Sequence, residues 1–403
     1  MLSERRVNLF AGVRVLDLSR MLAGPYGSML LADMGAEVIK IEDPDGGDPM
    51  RAMGPPFLPD GESAYFLAIN RNKKSVVLDL TKDGGRDAFL DLVRHADVVW
   101  ENFRPGVLEK LRCDYAAMAD VNPRIVHCAI SAYGQEGPHR ELPAFDLALQ
   151  ARGGAMSLTG EPGRPPVRMG LPMGDLAGGM FGAFAVAGAL LRRTRTGRGA
   201  SIDLALLDCQ VSLLTYIAQY YWTDGNVLGP AGSGHTSVMP YGAYATADGH
   251  LIIAVFNDRF WQGFCRAVER GDWERDSRFA TNRDRLVHRA ELEPLLVETF
   301  RTRPTAAWLE RLHRNGVPAA PIQRIDQVLE DEQVRYRGMV THMDHPVHGK
   351  VPTLGTPLKI DGELRLAVGP PARLGEHTAD VLRDVAGYDG VRIDALRRAG
   401  VIR

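Results

Sequence analysis

Val13-Arg14-Val15-Leu16-Asp17-Leu18, then Gly24-Pro25, then Glu37-Val38-Ile39-Lys40-Ile41-Glu42 is the stretch that decides the architecture. Two short aliphatic runs flank a segment that opens on Gly24-Pro25 and closes near Met34-Gly35, so strand, helix and strand make one right-handed parallel crossover. The pattern repeats. Ser75–Leu80 reads as a third strand, Gly85–His95 as a helix, Asp97–Trp100 as a fourth strand, Val107–Leu111 as a short helix and Arg124–Ser131 as a fifth strand. Such alternation predicts an α/β fold on a parallel sheet, whose ligands bind at the carboxyl ends of the strands. Those ends are Ser19–Pro25, Glu42–Asp48, Leu80–Thr81, Glu101–Gly106 and Ser131–Pro138. None carries GxGxxG or GxxxxGK[ST], so neither a dinucleotide fingerprint nor a P-loop supports the site.

Farther along, Gly170-Leu171-Pro172-Met173-Gly174-Asp175-Leu176-Ala177-Gly178-Gly179 sets one carboxylate at the mouth of a helix that stays almost free of polar side chains until Arg192-Arg193. Exposed N–H groups and the positive end of the macrodipole favour an ionised Asp there. Asp175 is therefore the candidate nucleophile; a plain N-cap is the alternative, since Asp is a preferred cap. The helix is expected to be a buried core helix rather than a membrane span, because it is rich in Gly, begins on a charge and ends in Arg. Asn102-Phe103-Arg104-Pro105-Gly106 joins an amide, an aromatic face and a guanidinium at a strand end. A ring can stack on Phe103 while Arg104 or Lys110 pairs with phosphate, or the segment is a surface turn. After Ser201–Ala205 and a helix over Leu206–Tyr221, the Gly-rich Asn226–His235 reads as a linker. Tyr241–Thr246 and His250–Val255 around Asp248-Gly249 read as a hairpin. The expected organisation is a large domain over 1–225 carrying Asp175, a smaller α/β domain over 226–332, and a segment over 333–403 that returns to the large domain.

The 403 residues carry a formal charge of −2 with scattered basic side chains, which gives no electrostatic footprint for nucleic acid. Cys113, Cys128, Cys209 and Cys265 are far apart and form no CxxC or Cys/His pair, so neither a metal site nor a disulfide framework is expected. Met1–Phe10 lacks an apolar core of signal-peptide length, and a reducing cytoplasm fits best.

Taken in order, Gly12–Leu18 with Ala23-Gly24-Pro25, Leu31–Glu42, Glu101–Gly106, Pro172–Gly179 and Gly197-Arg198-Gly199 resemble the class III CoA-transferases, the group that includes formyl-CoA and carnitine CoA-transferases. The resemblance covers nearly the whole chain. It implies a Rossmann-like large domain completed by the C-terminal segment, a small domain, and two chains threaded through each other as an interlocked homodimer. It implies Asp175 as the catalytic residue and CoA contacts at Leu22, Ala23, Leu78, Asp79, Leu80, Thr81, Asn102, Phe103, Arg104 and Lys110. No cofactor is held permanently in such enzymes; coenzyme A and acyl-CoA are substrates, with small carboxylic acids as the other partners.

By that resemblance the carboxylate attacks the acyl-CoA thioester to give a mixed anhydride and CoA thiolate. The thiolate returns to form an aspartyl-CoA thioester, and an acceptor carboxylate reverses the sequence. No general base or metal is required, only exclusion of water and oxyanion stabilisation, for which the N–H groups of Gly178 and Gly179 are candidates. Two departures stand out: Asp43 occupies a position where an Arg meets the nucleotide, and a four-glycine loop is absent as such, with only Gly229–Gly234 and Ser237–Gly242 to serve. Racemases of α-methylacyl-CoA esters share the fold but place a His just before the Asp of the segment matching Ala144-Phe145-Asp146, and here Ala144-Phe145 stands there. Arg20, His235 and Arg168 are candidates to hold a second carboxylate, favouring dicarboxylic substrates such as succinyl-CoA.

Overall fold

The structure is a computed structural model and describes residues 8–361 and 368–403. Strands β1 (Arg14–Asp17), β2 (Glu37–Glu42), β3 (Lys73–Val77), β4 (Val98–Glu101), β5 (Val126–Ser131) and β6 (Ala200–Ala205) form one sheet in the order β3-β2-β1-β4-β5-β6. Every pairing is parallel, with Val15 beside both Val38 and Val98. The order reverses between β1 and β4, and a ligand crevice is expected outside the carboxyl ends of those two strands.

Connecting these strands are α1 (Ala23–Asp33), α2 (Ala64–Asn70), α3 (Asp83–Val93), α4 (Val107–Lys110), α5 (Tyr115–Val121), α6 (Asp146–Arg152), α7 (Ala155–Leu158) and α8 (Met173–Thr196), with α9 (Leu206–Ser212) and α10 (Thr215–Asp224) after β6. Alternate strand residues face opposite layers. Val15, Val38, Val98 and Trp100 pack with Ala183, Val186 and Leu190 of α8, while Leu16, Ile39 and Val99 pack with Phe89 and Leu92 of α3. Val381, Leu382, Val401 and Ile402 join that second layer, and Val401 O accepts the Asp79 N–H at 2.9 Å. Both faces of the sheet are thus covered, as parallel sheets require.

Three departures from the expected elements have physical causes. β3 starts at Lys73 rather than Ser75, because the Lys73 ammonium is buried 3.0 Å from Asp17 Oδ2 and Lys74 reaches Glu37, so two lysines that read as loop belong to the sheet. The helix expected over Leu206–Tyr221 is two helices broken before Thr215, whose φ of 43° is left-handed. And α8 is buried on one face only. Gly174, Ala177, Gly178, Gly182 and Val186 lie inside while Met180, Phe184 and Leu191 are exposed. By length and composition α8 could cross a membrane, yet its glycine face is packed on α1 and Trp100.

The chain divides into two compact units. One runs through Ala155 and takes in Arg168–Asp224 and the chain from Gln333 onward; the other is Met156–Val167 with Gly225–Glu332. The smaller unit holds a three-stranded antiparallel sheet, β7 (Tyr241–Ala245), β8 (His250–Ala254) and β9 (Ala319–Pro321), with the β7–β8 hairpin turning at Asp248-Gly249. Its core is aromatic, built on Trp261, Phe264, Trp273, Phe300 and Trp308.

Candidate active site

The loop from β1 into α1 is set by buried charge. Burial alone would raise the Asp17 carboxyl, but Lys73 and Lys40, with hydroxyl donors from Ser19 and Ser28, outweigh that and hold it at about 2. Lys40 Nζ donates to Ser19 O at 2.6 Å and lies 3.0 Å from Asp48 Oδ2. Asp48 Oδ1 accepts the N–H of Met21 at 3.2 Å, and Met21 is held at a φ of 71°. A non-glycine residue in the left-handed region persists only where its surroundings over-determine it, and such strain clusters at working sites.

Asn102 at the end of β4 closes the same loop. Its Oδ1 accepts the Arg20 N–H at 2.8 Å and its Nδ2 donates to Arg20 O at 2.7 Å, so both ends of the amide are committed to one residue's backbone. The result is that α1 begins with no side-chain cap, and the N–H groups of Leu22 and Ala23 have no hydrogen-bond partner among the described residues. First-turn N–H groups left this way form a ready anion site.

Leu22 and Ala23 both line a cavity of about 200 Å³ together with Phe103, Arg104, Arg140 and Asp175, among others. Asp175 is the third residue of α8, which starts at Met173, and it makes no cap. The N–H groups of Gly174 and Asp175 instead donate to Asp146 Oδ1, at 2.8 and 3.3 Å. Half-buried and beside that second carboxylate, Asp175 is pushed up to about 7, first by burial and then by Asp146. A carboxyl group poised near neutrality in a cleft is the kind of group that functional sites create.

Gly178 and Gly179 have a different role from the one expected of them. Both sit in the body of α8, where their N–H groups belong to the helix ladder. A Cβ at Gly179 would lie 2.8 Å from Ala23 O, and one at Gly178 would lie 2.2 Å from Leu206 Cδ2. Gly179 lets α8 approach α1 closely and Gly178 makes room for Leu206 of α9; the unpaired donors at the cavity are the amides of Leu22 and Ala23, not the glycine N–H groups.

Of the residues the sequence singles out, Leu22, Ala23, Asn102, Phe103, Arg104 and Asp175 meet in this cavity. Leu78, Asp79, Leu80 and Thr81 follow β3 at the sheet edge, three strand spacings from β4 or roughly 14 Å, and do not line it. Leu78 is core, and Asp79 accepts from Thr81 N and Oγ1. Lys110 ends α4 and is exposed outside the cavity. Arg20 is engaged, its guanidinium 5.4 Å from the Phe103 ring centroid and 3.8 Å from Asp43. His235, in the smaller unit, lies edge-on to Tyr241 and Phe256, and Arg168 is exposed. Sequence reasoning missed Arg140, which the loop after β5 brings into the cavity.

Glu62, His345 and His348 also converge, with ligand-type atoms within 4.8 Å of one another. His345 Nδ1 accepts N–H groups of Val347 and His348, both at 3.2 Å, so the proton sits on Nε2, which donates to Glu62 at 2.9 Å. That tautomer presents a proton where an ion would need a lone pair, and none of the three lines the cavity.

The family model "CoA-transferase family III" matches residues 10–378. Succinyl-CoA:glutarate CoA-transferase of Mus musculus is 38% identical over 391 residues, covering 97% of this chain and 89% of that protein. Succinyl-CoA:mesaconate CoA-transferase of Haloarcula hispanica is 38% identical over 384 residues, covering 93% and 96% respectively. The crystal structure of a CAIB/BAIF family protein from Brucella suis superposes with a TM-score of 0.84 at 37% identity, covering 94% of this chain and 100% of that one. The chain belongs to CoA-transferase family III and is a CoA-transferase.

Proposed function

We propose that the enzyme moves CoA from a dicarboxylyl-CoA such as succinyl-CoA to a dicarboxylic acid acceptor, with Asp175 as the group that carries first the acyl residue and then CoA. The observation that carries this reading is the meeting of Asp175 with the unpartnered amides of Leu22 and Ala23 in one cavity. A carboxylate near neutrality is a competent nucleophile toward a thioester. The free amides of these two lining residues stabilise the oxyanion that forms when it attacks, a contribution of about 2.7–4 kcal/mol per donor in comparable sites. Arg104 and Arg140 supply positive charge for a distal carboxylate, in keeping with relatives named for succinyl-CoA, glutarate and mesaconate. The coenzyme's long arm then runs from the cavity over the strand ends toward Leu78–Thr81, with Lys110 near its phosphates.

Phe145 argues against proton exchange at an α-carbon, since it lines the cavity where a racemase presents an imidazole. The test is a matrix of acyl-CoA donors against mono- and dicarboxylic acids. Transfer from succinyl-CoA to five- or six-carbon diacids is expected at rates at least about tenfold above those to monoacids, with no deuterium uptake at the α-carbon of a 2-methylacyl-CoA. Equal rates for monoacids would remove the second-carboxylate reading.

The reading extends to assembly and compartment. The exposed side of α8, with Phe184 80% accessible, and Trp222 of α10 at 73% form the apolar surface that a second copy covers in an interlocked homodimer. Rings threaded through each other cannot exchange without unfolding. Tagged and untagged protein mixed in buffer should therefore yield no mixed dimers, and should yield them after joint denaturation and refolding; mixed dimers formed in buffer would rule out threading. All four cysteines are buried free thiols, which suits a reducing cytoplasm.

A further inference from the structure

α8 opens on Pro172-Met173-Gly174-Asp175, which supplies no capping side chain of its own. Met173 N–H donates to Leu171 O at 2.8 Å, and the next two N–H groups go to Asp146 Oδ1 on the first residue of α6. The other Asp146 oxygen accepts Gln150 Nε2 at 2.6 Å, and Gln150 Oε1 accepts the Met169 N–H at 2.8 Å, so the carboxylate is fixed from both sides. A Cβ at Gly174 would stand 2.9 Å from Asp146 Oδ1 and 2.6 Å from the amide nitrogen of buried Gln210, so only glycine admits this approach. Asp146 does not line the cavity, although its neighbours Ala144 and Phe145 do. It meets the nucleophile's backbone from outside that lining.

We propose that Asp146 is a positioning residue that also acts electrostatically. Held at the start of α8, its negative charge disfavours ionised Asp175 and biases that side chain toward its uncharged acyl-anhydride and CoA-thioester forms. The inference rests on Asp175 being the nucleophile. When Asp175 attacks the thioester carbonyl, the C–S bond breaks and the negative charge leaves on the CoA sulfur. When the thiolate attacks the Asp175 carbonyl carbon of the anhydride, the charge leaves on the released carboxylate. In the first step the charge leaves Asp175; in the second it passes from the thiolate to the released carboxylate and Asp175 is uncharged before and after, so the repulsion present in the free enzyme is absent from each adduct. The other groups facing Asp175 are the Tyr65 phenol from α2 and, across the cavity, Arg104 and Arg140; among the described residues no cation forms an ion pair with Asp175.

The test is Asp146→Asn, which keeps an oxygen for the cap and removes the charge. In the parent enzyme kcat/KM should rise with pH through a limb near 7. In Asp146→Asn the limb should fall by about one pH unit or more. The fraction of protein carrying CoA on Asp175 after incubation with acyl-CoA alone, read by intact-protein mass, should drop at least about threefold. Asp146→Glu, which keeps the charge, should hold the limb near its parental position and covers the case in which the Asn variant does not fold. A purely structural cap predicts lower melting temperatures for these variants with the limb and adduct fraction unmoved, and that result overturns the proposal. Parent enzyme with no adduct at 175 overturns the nucleophile assignment itself, and the proposal falls with it.

Discussion

Asp175→Ala should lower kcat for CoA transfer by at least about 10⁴-fold while CoA still binds and the protein melts no earlier than the parent at pH 8. Loss of the nucleophile leaves no other carboxylate in the cavity lining to form an anhydride: Arg104 and Arg140 are cations, the amides of Leu22 and Ala23 can only stabilise charge, and the Ser131 hydroxyl, which accepts the Gly134 N–H, has no adjacent base in that lining. The fold should not suffer, because Asp175 does not cap α8; Asp146 does. The sign of the stability effect follows from the direction of the shift. With its folded-state value raised to about 7 from 3.8, the carboxyl binds more protons folded than unfolded between those limits, so its stability cost appears as pH rises through that window and is complete above 7. Removing it is therefore stabilising at pH 8 and neutral near pH 3. Transfer assays, CoA titration calorimetry and thermal melts at the two pH values check the three parts, and turnover within tenfold of the parent would sink the assignment.

The sheet was legible in the sequence because a parallel strand buried on both faces reads as a plain aliphatic run, as Val13–Leu18 and Glu37–Glu42 do. Where a strand begins on charge the signal disappears. Lys73 looks like loop until its ammonium is seen to be buried against Asp17, Pro25 O and Asn70. Asp175 was legible as the acid at the mouth of α8, but its place as the third residue of the helix rather than its cap was not. The residue that spares it the capping role, Asp146, lies 29 positions earlier and meets it only through the packing of α6 on α8. Helix periodicity likewise cannot tell a Gly/Ala run buried all round from one buried on a single face: the difference at α8 is whether Met180 and Phe184 meet the same chain, and they do not. Asn102 shows the converse limit. Its residue type suggests a ligand contact, while its amide is committed to the Arg20 backbone and fixes the loop that carries Leu22 and Ala23.

Trp100→Ala is expected to cost about 3–5 kcal/mol in stability, lowering the melting temperature by roughly 6–15 °C. The indole is fully buried on β4, and its Nε1 donates to Gly24 O at 2.9 Å. The helices on this face are shaped around it. A Cβ at Gly27 of α1 would lie 2.4 Å from its ring and one at Gly182 of α8 2.6 Å, so both helices present bare backbone to the indole. Removing it leaves a void that neither glycine can fill by changing rotamer, and it takes one of two side-chain donors from the Gly24 carbonyl, the other being Ser28 Oγ. The same contact explains why catalysis should fall beyond the stability loss. α1 carries the open amides at its start and α8 carries Asp175 at its own, and Trp100 is the wedge against which the two are registered; a shift of about 1 Å between nucleophile and donors is enough for a loss near 10²-fold. Trp100→Phe, which keeps most of the volume but not the N–H, should recover more than half of the stability and most of the rate. Denaturant midpoints and transfer rates below the melting transition measure the two effects separately. An alanine variant that melts within about 2 °C of the parent would show that α1 and α8 are held in register by their direct glycine contact alone, through Gly179 against Ala23 O and Gly27 N.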